Sequence, residues 1–115
     1  MKSILVIEDE FALRHTLTLI LRRAGYQVAT AAEPQEILPL LSKNFYDLIF
    51  IDSNSIQPGP AGMITEIRLR APELPILLLT SNIHSSKIVH GLTAIGKPVD
   101  PERVLRTIQE QIGLW

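Results

Sequence analysis

The sequence contains no cysteine, only six aromatic residues and almost no net charge. Without cysteine, a disulfide-stapled scaffold and a thiolate metal site are both excluded. A formal net charge of -1 offers no electrostatic attraction to nucleic acid or to an anionic membrane, so we expect neither as a partner of this domain. The few aromatic and histidine residues follow no cofactor-binding or metal-ligand spacing, and no glycine-rich phosphate-binding motif occurs.

Long hydrophobic runs are missing as well. The first run, residues 4–7, stops at Glu8 and is too short for the apolar part of a signal peptide. Later runs, such as residues 76–79, are far below membrane-spanning length. With 115 residues, of which 46% are hydrophobic, the chain is long enough to build one core. We therefore expect a single cytoplasmic domain that covers residues 1–115.

Short aliphatic runs alternate with longer amphipathic segments along the whole chain. The predicted strands are residues 4–7, 27–31, 48–51, 76–79 and 92–95. The predicted helices are residues 11–24, a segment that opens at Glu33-Pro34, residues 63–70, a segment within 81–91, and a last one that opens at Asp100-Pro101. This alternation predicts an α/β fold in three α/β/α layers, with a doubly wound, five-stranded parallel sheet of flavodoxin-like order 2-1-3-4-5.

Two of the helices are predicted to be irregular. Pro39 falls inside the second helix, where it removes a backbone donor and crowds the preceding turn, so this helix should be short or kinked. The segment 81–91 is rich in Ser and contains Asn82, which are poor helix formers. We therefore expect a short or irregular fourth helix between the fourth and fifth strands.

Polar residues follow four of the five predicted strands at their carboxyl ends, where open α/β sheets bind ligands. Glu8 and Asp9 follow strand one, and Asp52 follows strand three, its neighbour in the predicted order. Carboxylates gathered there without cysteine or a histidine cluster suit Mg²⁺. Thr80 adds a hydroxyl and Lys97 an ammonium group at the same edge. Together they predict a phosphoryl-transfer site in which Asp52 attacks.

Each of these residues also has an ordinary structural explanation. Acidic residues before a helix favour its dipole, and Asp52 can begin a local turn. A threonine at a strand end and a solvated lysine are both common. The prediction of a site therefore depends on all of them meeting at one edge of the sheet.

In this combination the residues resemble the response-regulator receiver family of two-component signalling. The resemblance covers nearly the whole chain, in order, through residues 4–10, 46–52, 75–81 and 96–98. It implies that Asp52 is the phosphoacceptor, that Thr80 and Lys97 contact the phosphoryl group, and that the Lys97–Pro98 bond is cis. It further implies a Mg²⁺ ion held by Glu8, Asp9, Asp52 and the main-chain carbonyl of Asn54.

The resemblance also implies the partners. The phosphoryl group would come from a phosphohistidine on a sensor histidine kinase or a histidine phosphotransfer protein, and the receiver would then act on a downstream effector domain or protein. Such a domain catalyses its own phosphorylation and dephosphorylation and is not a metabolic enzyme.

Two departures from the family pattern leave alternatives open. The Met-Pro pair that usually follows the acceptor is absent; in residues 53–62, proline and glycine are displaced as if two residues were inserted. The interval from Thr80 to Lys97 is short, and Ala94 stands roughly where an aromatic switch residue is expected. One alternative is a degenerate receiver that serves as a constitutive protein-interaction module. A small Mg²⁺-dependent phosphatase that works through an aspartyl-phosphate is a third, less favoured hypothesis.

Overall fold

A computed structural model of the chain describes residues 1–81 and 92–114. The described strands are β1 (Ser3–Ile7), β2 (Gln27–Ala31), β3 (Leu48–Asp52), β4 (Ile76–Thr80) and β5 (Leu92–Gly96). The described α-helices are α1 (Phe11–Arg23), α2 (Ile37–Lys43), α3 (Ala61–Arg70) and α4 (Pro101–Ile112). The short helix expected between β4 and β5 falls on residues outside this description.

The five strands form one parallel sheet in the order β2-β1-β3-β4-β5, which confirms the predicted topology. Every residue of β3 and β4 is buried, as expected for parallel strands covered on both faces. The register places Ile7 beside Ile51 and Asp52 beside Leu79. The carboxyl ends of β1, β3 and β4 therefore meet at one edge of the sheet.

A separate hydrophobic core lies on each face of the sheet. On one face, α1 and α4 bury Leu17, Leu21, Val104 and Ile108 against alternate residues of the strands. On the other face, α2 and α3 contribute Ile37, Ile64 and Ile67. Two cores on opposite faces confirm the three-layer arrangement. No helix in the described part of the chain is long and apolar enough to cross a membrane.

The helix boundaries follow local chemistry. Gly25, just beyond α1, has a φ of 100°, a conformation that favours glycine and commonly ends a helix. The second helical segment starts as a 3₁₀ turn (Pro34–Glu36) and becomes α-helical only over seven residues. Pro39 has no N–H to donate to the residue four positions earlier. Helix α2 accordingly begins only two residues before Pro39, where that N–H is not needed.

The segment after Asp52 is more ordered than the predicted loop. Residues Ser53–Ser55 form a 3₁₀ turn, and Asn54 N–H donates to Asp52 Oδ1 to start it. Helix α3 begins at Ala61, so its predicted start at Met63 was two residues too late. The reason is that the Pro60 carbonyl already accepts a helical hydrogen bond from Ile64 N–H, at 2.9 Å.

Candidate functional site

Asp52 ends β3 as a buried carboxylate, with 2% of its surface exposed. Lys97, just after β5, places its Nζ 2.9 Å from Asp52 Oδ1 and 3.1 Å from Oδ2. Asn54 N–H donates to Oδ1 as well, at 3.0 Å. Both oxygens of Asp52 thus face an ammonium group at the carboxyl edge of the sheet.

Glu8 follows β1 and is buried next to Asp52, with 1% of its surface exposed. Its Oε2 accepts a hydrogen bond from Glu10 N–H at 3.1 Å and lies 3.2 Å from Ser55 Oγ. Its Oε1 is buried and has no hydrogen-bond partner among the described residues. A buried carboxylate oxygen without a partner is costly, which makes this atom a candidate for binding a ligand from outside the chain.

The two carboxyl groups differ in their affinity for a proton. Burial, reinforced by the neighbouring Asp52, raises the pKa of Glu8 from 4.5 to about 8. Burial also acts to raise the pKa of Asp52, but contacts with Glu8, Lys97 and the Asn54 amide outweigh it, so the pKa of Asp52 is lowered. Without a metal, a proton at this carboxyl pair therefore favours Glu8, and the negative charge favours Asp52.

Asp9 lies at the exposed rim of the site and is connected to Glu8 through Ser55. Asp9 N–H donates to Ser55 Oγ at 3.0 Å, and the same Oγ lies 3.0 Å from Asp9 Oδ1. Ser55 itself is buried, with 6% of its surface exposed. Sequence reasoning missed this residue, because nothing in the pattern of residues 53–62 distinguishes Ser55 from the other serine there.

Arg14 was also missed. From α1, its Nη1 donates to the carbonyl of Glu8 at 2.9 Å and to that of Asp9 at 3.4 Å. The guanidinium group lies 5.6 Å from the ring centroid of Phe11, which limits its freedom. Arg14 thus fixes the backbone of the acidic turn.

The other predicted site residues lie at the same edge. Thr80 is buried at the end of β4, and its carbonyl accepts a hydrogen bond from Lys97 N–H at 3.0 Å. The Lys97–Pro98 bond is cis, as the resemblance implied, and Gln57–Pro58, which was not anticipated, is cis too. The carbonyl of Asn54 accepts a hydrogen bond from Gln57 Nε2 at 3.2 Å, so one of its two lone pairs is engaged.

Comparison with known protein families decides what this arrangement belongs to. The sequence model of the family described as "Response regulator receiver domain" matches residues 4–109. The chain belongs to this family. The receiver domain is 42% identical over 93 residues to the transcriptional regulatory protein AfsQ1 of Streptomyces coelicolor, covering 80% of this chain and 40% of that protein.

A second relative is a response regulator. The receiver domain is 37% identical over 94 residues to the two-component response regulator PhoP of Pseudomonas aeruginosa, covering 80% of this chain and 41% of that protein. It therefore spans well under half the length of these two regulators.

Solved structures show the same fold. The chemotaxis response regulator CheY4 of Vibrio cholerae is 30% identical, with a TM-score of 0.84 and coverage of 96% of this chain and 98% of that one. The response regulator TrrA of Thermotoga maritima, solved in complex with Mg²⁺-BeF, is 25% identical, with a TM-score of 0.84 and coverage of 96% and 99%.

The donor atoms of the receiver domain suit a hard cation. In residues 1–81 and 92–114, no three acidic or histidine side chains are grouped as a complete metal cage. Glu8 and Asp9 are nevertheless joined through Ser55 Oγ, and Asp52 is close enough to Glu8 to help raise its pKa. Glu8 Oε1 has no hydrogen-bond partner among the described residues. Mg²⁺ is commonly held by one or two carboxylates while it keeps several waters, so these residues fit it.

Proposed function

We propose that this receiver domain accepts a phosphoryl group on Asp52 in a Mg²⁺-dependent reaction. The donor would be a phosphohistidine on a sensor histidine kinase or a histidine phosphotransfer protein. One observation carries the proposal: Asp52 is buried at the carboxyl edge, is held ionised by its surroundings, and has the Lys97 ammonium 2.9 Å away. A carboxylate that attacks phosphorus must be deprotonated, and the lowered pKa of Asp52 supplies that state.

The transfer would proceed as an in-line displacement. An Asp52 carboxylate oxygen forms a new P–O bond as the P–N bond to the donor imidazole breaks, and the leaving nitrogen takes up a proton. Lys97 already contacts the attacking carboxylate, so its charge would pass to the phosphoryl oxygens as they arrive. We assign Thr80, buried at the end of the neighbouring strand β4, to a hydroxyl contact with the phosphoryl group.

We assign Glu8, Asp9, Asp52 and the main-chain carbonyl of Asn54 to the binding of Mg²⁺. When bound, the cation offsets the negative charge of the phosphoryl group and of the carboxylates. For this chain, binding would require Glu8 to lose the proton that burial favours. TrrA, one of the similar structures, was solved with Mg²⁺-BeF, which supports this assignment.

Phosphorylation would then act on a downstream effector domain or protein. Receivers of this family work in two-component systems, and the relatives AfsQ1 and PhoP are a transcriptional regulatory protein and a response regulator. We place the domain, residues 1–115, in the cytoplasm. The switch would bias a surface between two states, with the free energy supplied by the new charge on Asp52.

The test is the intact mass of the protein after incubation with a small-molecule phosphodonor, with Mg²⁺ and with a chelator. The native chain should gain one phosphoryl group in Mg²⁺ only, and Asp52→Asn should gain none. Asp47→Asn, which changes an aspartate at the opposite end of β3, is the matched control and should still be modified. No gain in a folded native sample that does bind Mg²⁺, with the small-molecule donor and with a histidine kinase alike, would favour the constitutive interaction module instead.

A further inference from the structure

We propose that Ser55 is a positioning residue for the Mg²⁺ site, in that its one hydroxyl group holds Glu8 and Asp9 in the arrangement that presents them to the cation. This inference rests on the proposed function, because it concerns the metal on which that function depends. The residue takes no part in the chemical step itself.

The evidence is the set of contacts around one atom. Ser55 Oγ lies 3.0 Å from Asp9 N, 3.0 Å from Asp9 Oδ1 and 3.2 Å from Glu8 Oε2. The hydroxyl group is therefore shared by both members of the acidic pair and by the backbone between them. Ser55 is 6% exposed and Glu8 is 1% exposed, so water has little access with which to replace these contacts.

The hydrogen-bonding capacity of a hydroxyl group explains what Ser55 does. It has two lone pairs and one proton, so it accepts from Asp9 N–H and donates to one carboxylate oxygen at a time. That single proton can be donated either to Glu8 Oε2 or to Asp9 Oδ1, because both oxygens lie within hydrogen-bonding distance of Ser55 Oγ. Because Oε2 of Glu8 is engaged in this way, Oε1 is the oxygen that remains without a partner among the described residues.

The turn that carries Ser55 also connects the acidic pair to Asp52. Asp52 Oδ1 accepts from Asn54 N–H, which starts the 3₁₀ turn, and Ser55 ends that turn against Glu8 and Asp9. The phosphoacceptor and the acidic pair are thus fixed relative to each other by one short segment. A residue that orients metal ligands without touching the metal typically changes metal affinity about 10–100-fold when it is removed.

The test is the Kd for Mg²⁺, measured by isothermal titration calorimetry on the full chain without phosphodonor. We expect Ser55→Ala to raise the Kd at least about tenfold. Ser55→Thr, which retains the hydroxyl group, should restore most of the affinity. The matched control is Ser53→Ala in the same turn, because the Ser53 side chain makes no hydrogen bond within residues 1–81 and 92–114. That variant should bind Mg²⁺ as the native chain does.

A second readout separates positioning from a purely structural role. Phosphorylation of Ser55→Ala should need more Mg²⁺ for half-maximal rate, yet approach the native rate at saturating Mg²⁺. If Ser55→Ala does not fold, Ser55→Cys keeps the size but offers only a weakly hydrogen-bonding thiol, and it carries the same expectation. A folded Ser55→Ala or Ser55→Cys variant with the native Kd would overturn the inference. If the native chain itself bound no Mg²⁺, the proposed function would fail instead.

Discussion

Strand β3 is preceded by one aspartate and ends on another, and the two carboxylates are held in opposite ways. Asp47, before the strand, accepts a hydrogen bond from Ser3 N–H at 2.7 Å, and its own N–H donates to Ser3 O at 2.8 Å. Asp52, at the other end, faces Lys97 and the buried carboxyl group of Glu8. The carboxylate of Asp47 therefore contacts the backbone at one edge of the sheet, whereas that of Asp52 contacts other ionisable side chains at the opposite edge.

The aspartate before β3 contributes to stability, whereas the aspartate at its end belongs to the candidate reactive site. The contacts of Asp47 join β1 to β3 and leave its carboxylate satisfied by the sheet itself. At Asp52 a second carboxyl group lies close by in a buried position, which is unfavourable without a proton or a cation. The carboxyl edge of a parallel sheet is where ligands bind, and here it holds a buried carboxylate oxygen, Glu8 Oε1, that has no hydrogen-bond partner among the described residues.

The largest predicted effect is on the phosphorylation rate, and it should come from Lys97→Met. Without the ammonium group, the transferred phosphoryl oxygens lose a positioned positive charge, so the phosphorylation rate should fall roughly a hundredfold. The pKa of Asp52 should also rise, because Lys97 is one of the groups that lower it. Rates are measured by intact mass over time, with Lys43→Met at the exposed end of α2 as the control. A native rate in Lys97→Met would count against the assigned role.

A smaller effect, on stability alone, should come from Asp47→Ala. This variant leaves Ser3 N–H without its charged acceptor, which should lower the free energy of unfolding by about 1.5–3 kcal/mol. Phosphorylation should continue at the native rate. Asp47→Asn keeps an acceptor oxygen and should lose less. Urea denaturation measures the stability, and an Asp47→Ala variant that is stable but cannot be phosphorylated would refute the division of roles between the two edges.

The smallest effect, counted per pH unit, should appear in the pH dependence of the metal-free protein. Because the folded-state pKa of Glu8 is raised from 4.5 to about 8, Glu8 contributes stability that is fully present below the lower value and is lost as pH rises through the upper one. In chelator, the free energy of unfolding should fall across this window, by less than about 1.4 kcal/mol per pH unit.

The side chain introduced by Glu8→Gln cannot titrate, so this variant should lack the part of the pH dependence of the unfolding free energy that Glu8 causes. Glu10→Gln is the control, since Glu10 is exposed and only its backbone contacts Glu8. Asp52 acts in the opposite direction, because its lowered pKa adds stability that is lost only as pH falls. Equal slopes for the native chain and Glu8→Gln between about pH 5 and 8 would show that Glu8 is not the titrating group.

The sequence was sufficient for the sheet and for the edge at which the candidate site lies. Aliphatic runs indicate buried parallel strands, and the strand order brings the carboxyl ends of β1, β3, β4 and β5 to one edge. Glu8, Asp52 and Lys97 were therefore predicted to meet. The start of α3 was predicted late, because a proline-rich stretch gives no hydrophobic period from which to locate a boundary.

The finer contacts of the site were not predictable. The position of Ser55 depends on the 3₁₀ turn that Asp52 begins, and the contact of Arg14 with the acidic turn depends on how α1 packs. Ser55 contacts residues that are distant in sequence, whereas Arg14 contacts the nearby turn before its own helix. Neither contact leaves a periodic pattern in the sequence. The irregular fourth helix, predicted within residues 81–91, stays a prediction because it lies outside the described residues.

The most direct test of the central claim is to locate the modified carboxylate chemically. The native chain is phosphorylated in Mg²⁺ and treated with borohydride, which reduces an acyl phosphate to the alcohol and converts the modified aspartate to homoserine. Peptide mapping by mass spectrometry then identifies the position. The account predicts homoserine at Asp52 alone. Homoserine at Asp47 or Asp9 instead, with Asp52 intact, would contradict it.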